Sequence, residues 1–514
     1  MRVLNKALPF CLLVALAASL GAQSSRSRAQ ATLTLAPGEF RHIVEVIAHD
    51  SMVGRATPSP QLEVAARFIA ERFRTAGLLP LGDDSSYLQR YPVVETLLDP
   101  DSVHIRLGSL AFWKFGTDFT HIGGIGDASG ELTGRTVIVT GAVTRTNAAS
   151  LDVSGKVVIF VTQLNAQGRA ADVRPLLALL SAGPKAIIFP GGRPDSTWRA
   201  LSKDPNEFKP GAAAAWPIWT ANRGVRENVV HFLPILELWA GRFPDFLRRA
   251  AIDSASLWAA DGAPRVTPVD VQGDFRFGRR IVDVAWPPNV VGVIEGSDPI
   301  LKHEYVVFTA HLDGLGRERG GRTGPESVLN GADDDASGVA VIAQLAKAFA
   351  ASPRRSKRSI MFVAVSGEER GLWGSDYFAT HPPVPRTSIV ADMNLDMVGR
   401  SVSDSIYILG RGSSDIGGIA DRALRESRAH GLVVLDEAAL ERRYPGESLG
   451  QRSDLVNFTR RGIPAVHFFT GLHEDYHTTG DDAEKLNYEA MTRIAMVAFD
   501  VGIAIGNAHL PTRR

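Results

Sequence analysis

The chain has 514 residues, 45% of them apolar and 22% charged, with 56 basic against 56 acidic side chains. That length holds about three domains at roughly 150 residues each. The apolar share excludes an intrinsically disordered chain, and the balanced charge argues against a binder of nucleic acid or of anionic membranes.

In chain order, residues 1–22 read as a secretory signal peptide. Arg2 and Lys6 precede an apolar run, Ala7 to Leu20, and small residues close it (Ala17, Ala18, Ser19, Gly21, Ala22). The run is short for a bilayer span, and no later stretch reads as one. Cys11, the one cysteine, lies inside this segment, which excludes a disulfide scaffold and a multi-thiolate metal site. The expectation is a secreted or periplasmic protein without stable membrane insertion.

Residues 23–124 read as the amino-terminal part of the main domain. Its first clear element is a helix over Ser59 to Gly77, with Ser59 as N-cap, Pro60 at the first helical position and Gly77 at the exit. Leu62, Ala65, Ala66, Ile69 and Phe73 recur at helical spacing, so one face is buried. From 125 to 270, short β-branched runs such as Val157–Val161 and Ala186–Phe189 alternate with Gly/Asp turns and one apolar helix, Arg174 to Ala182. This block reads as a small β-rich module inserted into a larger domain.

From 271 to 514, strands alternate with helices. Strands are expected at Val290–Ile294, Tyr305–Ala310, Ile360–Val365, Val390–Leu395, Ile406–Leu409 and Ala465–Phe469, and helices at Ser337–Ala350, Gly417–Ala429 and Tyr488–Ile505. Near-continuous apolar strands separated by helices predict an α/β fold with a mostly parallel central sheet covered on both faces.

In such a sheet, ligands and catalytic groups gather beyond the carboxyl ends of the strands. The strand candidates end in His311-Leu312-Asp313, Ser366-Gly367-Glu368-Glu369 and Asp396, and the last is followed by Tyr476-His477. Gly331-Ala332-Asp333-Asp334-Asp335-Ala336-Ser337-Gly338 leads into a helix. Singly, each has an ordinary reading: a salt-bridged histidine, a solvated glutamate pair, acidic residues at a helix start, an N-cap, a loop histidine. Together at one rim they form a thiol-free nitrogen/oxygen set suited to Zn²⁺ and tolerant of Mn²⁺ or Co²⁺. Five donors with one shared carboxylate suit two metals about 3.5–4 Å apart, and a spare carboxylate can take the proton of a bridging water. Asp313, two residues beyond His311, is positioned to accept the second N–H of its ring.

These stretches, with Asn394-Leu395-Asp396-Met397-Val398-Gly399 and Tyr476-His477-Thr478, resemble the two-zinc aminopeptidase family, which includes secreted leucyl aminopeptidases, glutamate carboxypeptidase and the transferrin receptor. All five motifs occur in family order. The Ser59 helix resembles the amino-terminal part of these enzymes, and the insert resembles a protease-associated domain. The resemblance implies a zinc exopeptidase-like fold. It implies one zinc on His311, Asp334 and Asp396, and a second on Asp334, Glu369 and His477, with Asp333 as the alternative register. It also implies Glu368 as general base, Tyr476 as donor to the oxyanion, Asp313 as the aspartate behind His311, and a cis peptide between Asp334 and Asp335. Leu455 and Thr479 depart from the family pattern.

The function implied is a secreted aminopeptidase acting on peptides. The alternatives are a carboxypeptidase of the glutamate carboxypeptidase type, with Arg370, Arg400 and Arg452 as candidates to hold the free carboxylate, a one-zinc glutaminyl cyclase, and a non-catalytic receptor-like relative. His467 and His473 are alternative nitrogen donors. Side-chain specificity and oligomeric state are not legible.

Overall fold

The computed structural model describes residues 35–99, 101–123, 130–161, 174–191, 196, 198–199, 218–221, 234–318, 324, 327–412 and 416–510. The expected signal segment, 1–22, lies outside them. No helix among the described residues is long and apolar enough to cross a membrane.

The described residues form two compact units rather than three. One takes in the chain up to Tyr91, Pro287–Glu318 and the residues from 324 onward; the other lies within Pro92–Trp286.

The first unit is built on a nine-stranded sheet. Its principal strands are β1 (Pro288–Ile294), β2 (Tyr305–His311), β3 (Ser359–Val365), β4 (Ile389–Leu395), β5 (Ser405–Leu409) and β6 (Ala465–Phe469), in the spatial order β1-β3-β2-β4-β6-β5. The four central strands, β3, β2, β4 and β6, are parallel. β1 joins β3 antiparallel and β5 joins β6 antiparallel, so the sheet is mixed at its flanks. The short strands Leu79–Pro80 and Leu88–Arg90 both pair with β1.

The central strands are buried along nearly their whole length because both faces are covered. One face, carrying Val306, Phe308, Phe362 and Met393, packs against helices α1 (Pro37–Ile47), α2 (Pro60–Thr75), α3 (Gly338–Ala351) and α4 (Tyr488–Asn507). The other, carrying Val307, Met361 and Val363, packs against Phe378 and Phe458. Helix α2 begins as its sequence implies: the Ser59 hydroxyl accepts from Leu62 N at 3.1 Å, and Leu62, Ala65, Ala66, Ile69 and Phe73 are buried. The helix expected over Gly417–Ala429 stops at Glu426, because Ala429 and His430 turn into the left-handed region.

The second unit contains an eight-stranded sheet with its own apolar core, including Ile138, Ile159, Ile188 and Leu236. Its limits are wider than the expected 125–270. Strand Arg265–Phe277 pairs with both His104–Leu107 and Gly130–Thr140, and Arg279–Ala285 pairs with Val93–Leu98. Strands on both sides of the expected boundaries therefore belong to the same unit.

Candidate metal centre

The carboxyl ends of four strands of the first unit, and the loops that follow them, deliver their groups to a single rim. His311 closes β2, Glu368 and Glu369 follow β3, Asp396 follows β4, and His477 lies in the loop after β6. Asp334 comes from a wide turn, Ala332–Ser337, that leads into α3. His311 Nε2 is 3.0 Å from Asp334 Oδ1 and 3.7 Å from Asp396 Oδ1. His477 Nε2 is 3.1 Å from the other oxygen, Asp334 Oδ2, and 3.5 Å from Glu369 Oε2. Two triads result, His311/Asp334/Asp396 and Asp334/Glu369/His477, each with donor atoms within 4.8 Å of one another. All five expected ligands meet, with Asp334 common to both triads.

The Asp334 turn is held by backbone contacts that only certain residues permit. Gly331 sits at φ +58, where a Cβ would lie 2.3 Å from the Asp334 carbonyl oxygen. A Cβ on Gly338 would lie 2.4 Å from the Leu395 carbonyl oxygen. The Asp334–Asp335 peptide is cis. Asp335 points into the core, where its carboxylate accepts from the main-chain N–H of His311, Gly338 and Met397 at 3.1, 2.9 and 3.0 Å. One side chain thus ties β2, α3 and the loop after β4 together. Asp333 turns away from the triads and accepts from Gly399 N at 2.6 Å, so of the two aspartates it is Asp334 that faces His311 and His477.

His467 and His473 are not in either triad. His467 Nδ1 lies 2.6 Å from Asn394 Oδ1, and His473 Nε2 faces Asp333 at 3.3 Å. Asp313 orients His311 differently from expectation. The ring's Nδ1 is 3.2 Å from the Asp313 main-chain oxygen, whereas the nearer carboxylate oxygen is 3.8 Å away. That carboxylate is engaged elsewhere, accepting from Glu368 N at 3.2 Å. It therefore fixes the start of the glutamate pair rather than the imidazole tautomer.

Three contributors were not anticipated. Asp481 accepts from the N–H groups of both Asp333 and Asp334, at 3.0–3.1 Å. Thr57 Oγ1 accepts from Gly367 N at 3.1 Å. Arg55 is fully buried beneath the rim. The one sequence signal for Asp481 is its position four residues after His477; Arg55 and Thr57 carry none, since their partners are main-chain atoms far along the chain.

Burial governs the electrostatics, and neighbouring acids add to it. Burial, and then the charge of Asp334, pushes Glu369 up to about 9. Burial also raises Glu368 well above the usual carboxylate range, with Asp454, Asp396 and Glu369 adding to the effect. Asp334 goes the other way despite its burial, because His311 and His477 hydrogen-bond to its ionised form. A donor set of two imidazoles and three carboxylates, close enough that the ionised Asp334 adds to the burial that raises Glu369, fits a pair of divalent cations. Burial keeps the Tyr476 hydroxyl protonated, and its ring stacks on His477 with centroids 3.8 Å apart.

A cavity of about 170 Å³ opens over these residues, walled by Met397, Leu449, Phe469 and Leu472, with Arg452 on its lining. Leu455 is buried against Val456 and Ala465 instead of lining it.

Residues 289–502 match the family model of peptidase family M28. This segment belongs to peptidase family M28. The matched segment carries all five residues of the two triads. The chain is 36% identical over 243 residues to a probable zinc metalloprotease of Leptosphaeria maculans, covering 41% of this chain and 55% of that one. It is 28% identical over 216 residues to the aminopeptidase YwaD of Bacillus subtilis, covering 40% and 41%. It spans about half the length of the curated relatives it matches. A solved aminopeptidase from Aneurinibacillus sp. strain AM-1 superposes with a TM-score of 0.50 at 18% identity, over 93% of this chain and 96% of that one, and shares the α/β fold.

Proposed function

We propose that the chain is a two-zinc exopeptidase, an aminopeptidase that hydrolyses the bond after the free amino-terminal residue of a peptide. The observation that carries this reading is the division of one carboxylate, Asp334, between two complete ligand triads. Two zinc ions on those triads supply Lewis acidity for the scissile carbonyl and a water acidic enough to react near neutral pH; Mn²⁺ or Co²⁺ suits the same donors.

The chain's own groups supply the rest. Glu368, unused by either triad and lining the cavity, takes a proton from the attacking water and returns it to the leaving nitrogen as the C–N bond breaks. Tyr476 keeps its phenolic proton and donates to the oxygen on which negative charge develops. The apolar wall of Met397, Leu449, Phe469 and Leu472 accommodates the side chain of the terminal residue.

The opposite polarity needs a cationic cluster for a free carboxylate. Of its three candidates only Arg452 lines the cavity, and Arg400 is paired with Asp475 at 2.9 Å, which favours the aminopeptidase. Two complete triads speak against a one-zinc cyclase, and an intact ligand set with its base speaks against a receptor-like relative. Export rests on the signal-like residues 1–22, and the second unit's reading as a protease-associated module rests on resemblance.

The test is a substrate panel with the zinc-loaded protein. Aminoacyl anilides should be cleaved and their N-acetylated forms refused. Cleavage of N-blocked peptides from the carboxyl end would replace this reading with the carboxypeptidase.

A further inference from the structure

Arg55 lies far from every ligand in sequence, yet its guanidinium touches the backbone of two ligand-bearing loops. Nε donates to the Leu312 carbonyl at 2.8 Å, directly after His311. Nη1 donates to the Asn330 carbonyl at 2.7 Å and Nη2 to the Gly331 carbonyl at 3.0 Å, at the entry to the Asp334 turn. A further bond from Nη1 reaches the Ile47 carbonyl at the end of α1, at 2.7 Å. The side chain is fully buried.

A buried cation is unfavourable unless charge of opposite sign surrounds it. Here the surrounding charge is that of the rim itself, since Asp313, Asp481, Asp334 and Asp335 all act on Arg55. The turn that delivers it is specialised. Val53, Gly54 and Arg55 are all left-handed, with φ of 50, 67 and 50. A Cβ on Gly54 would lie 2.2 Å from the Gly316 carbonyl oxygen. Two non-glycine residues in that region persist only where the surroundings over-determine them.

We infer that Arg55 is a positioning residue for the metal pair: it ties the His311 loop to the Asp334 turn and supplies fixed positive charge beneath the acids, so that the ligand set is assembled before any ion arrives. This rests on the two-metal reading above. A residue that merely stapled the fold would lower overall stability and leave ion affinity alone.

Hydrogen exchange on the wild-type protein, stripped by chelator and then reloaded with zinc, gives the first readout. The N–H groups of His311, Asp333, Asp334 and Gly338 should be nearly as protected without zinc as with it. Free exchange in the stripped protein overturns the inference, whatever the variants do. The second readout is zinc binding by calorimetry. Arg55→Met, which keeps bulk and removes charge, should bind zinc about 10–100-fold more weakly, and Arg55→Lys should recover part of the loss. A folded Arg55→Met protein with wild-type zinc affinity overturns it. Should Arg55→Met fail to fold, the exchange measurement and Arg55→Lys decide. Failure of the two-metal reading is separately visible, as fewer than two zinc ions bound by the wild type.

Discussion

His311 and His477 approach opposite oxygens of one carboxylate, that of Asp334, at 3.0 and 3.1 Å. The two imidazoles come from a strand end and a loop separated by most of the M28 segment, yet a single side chain measures the gap between them. Removal of that side chain should unmake both triads at once. Asp334→Ala is expected to bind fewer than one zinc per chain, against about two expected for the wild type, by elemental analysis after gel filtration. Retention of two ions would mean that Asp334 is not shared.

Glu368 lies beside the triads without belonging to either, so its loss should separate binding from turnover. Glu368→Gln should keep both zinc ions and lower kcat by about 10²–10⁴-fold with little change in KM. Steady-state kinetics with metal analysis on the same sample provide the check. A variant with near-wild-type kcat removes Glu368 as the base.

The raised acids give the metal-free protein a pH dependence of definite sign. An ordinary carboxyl titrates near 4, whereas in the fold Asp454 and Asp481 are pushed up to about 7 and Glu369 to about 9, chiefly by burial. Their stabilising contribution is full below the unfolded value and is lost as pH rises through the folded ones. His467, lowered to about 4 by burial, has the opposite sign but acts only below about 6.5, where the unfolded ring takes up its proton. Between pH 6.5 and 9 the chelated protein should therefore lose stability steadily. Zinc, by requiring Glu369 ionised, should bind more tightly over the same interval. The Tm gap between zinc-loaded and chelated protein is expected to widen with pH in scanning fluorimetry. A gap that narrows contradicts the assignment.

Asp481 holds the Asp334 turn through main-chain amides alone. Asp481→Ala leaves the buried N–H groups of Asp333 and Asp334 without acceptors, a loss of about 1–3 kcal/mol. Urea unfolding of the chelated protein should show it, and an unchanged midpoint would mean that water or a neighbour replaces the carboxylate.

The legible parts of the molecule were those whose signals are local. His311, Asp334, Glu369, Asp396 and His477 stand at strand ends or in short acidic turns, and α2 begins at its Ser-Pro start. Strand direction was less legible: an apolar run carries no record of whether its neighbour is parallel, so the antiparallel flanks formed by β1 and β5 went unforeseen. The edges of the second unit were hidden because Arg265–Phe277 finds its partner at His104–Leu107, across most of the unit. Arg55 was invisible for a related reason. Its Leu312 partner is 257 residues away and offers only a carbonyl, which any residue has.

The manner in which the chain departs for the second unit has its own implication. Arg90 and Pro288 are antiparallel neighbours, and Tyr91 N donates to the Pro287 carbonyl at 3.2 Å. The excursion leaves and re-enters where a hairpin would have its tip. Shortening it to a tight loop would leave every strand of the peptidase sheet in register, so this junction is a natural splice point at which modules of other kinds can be exchanged.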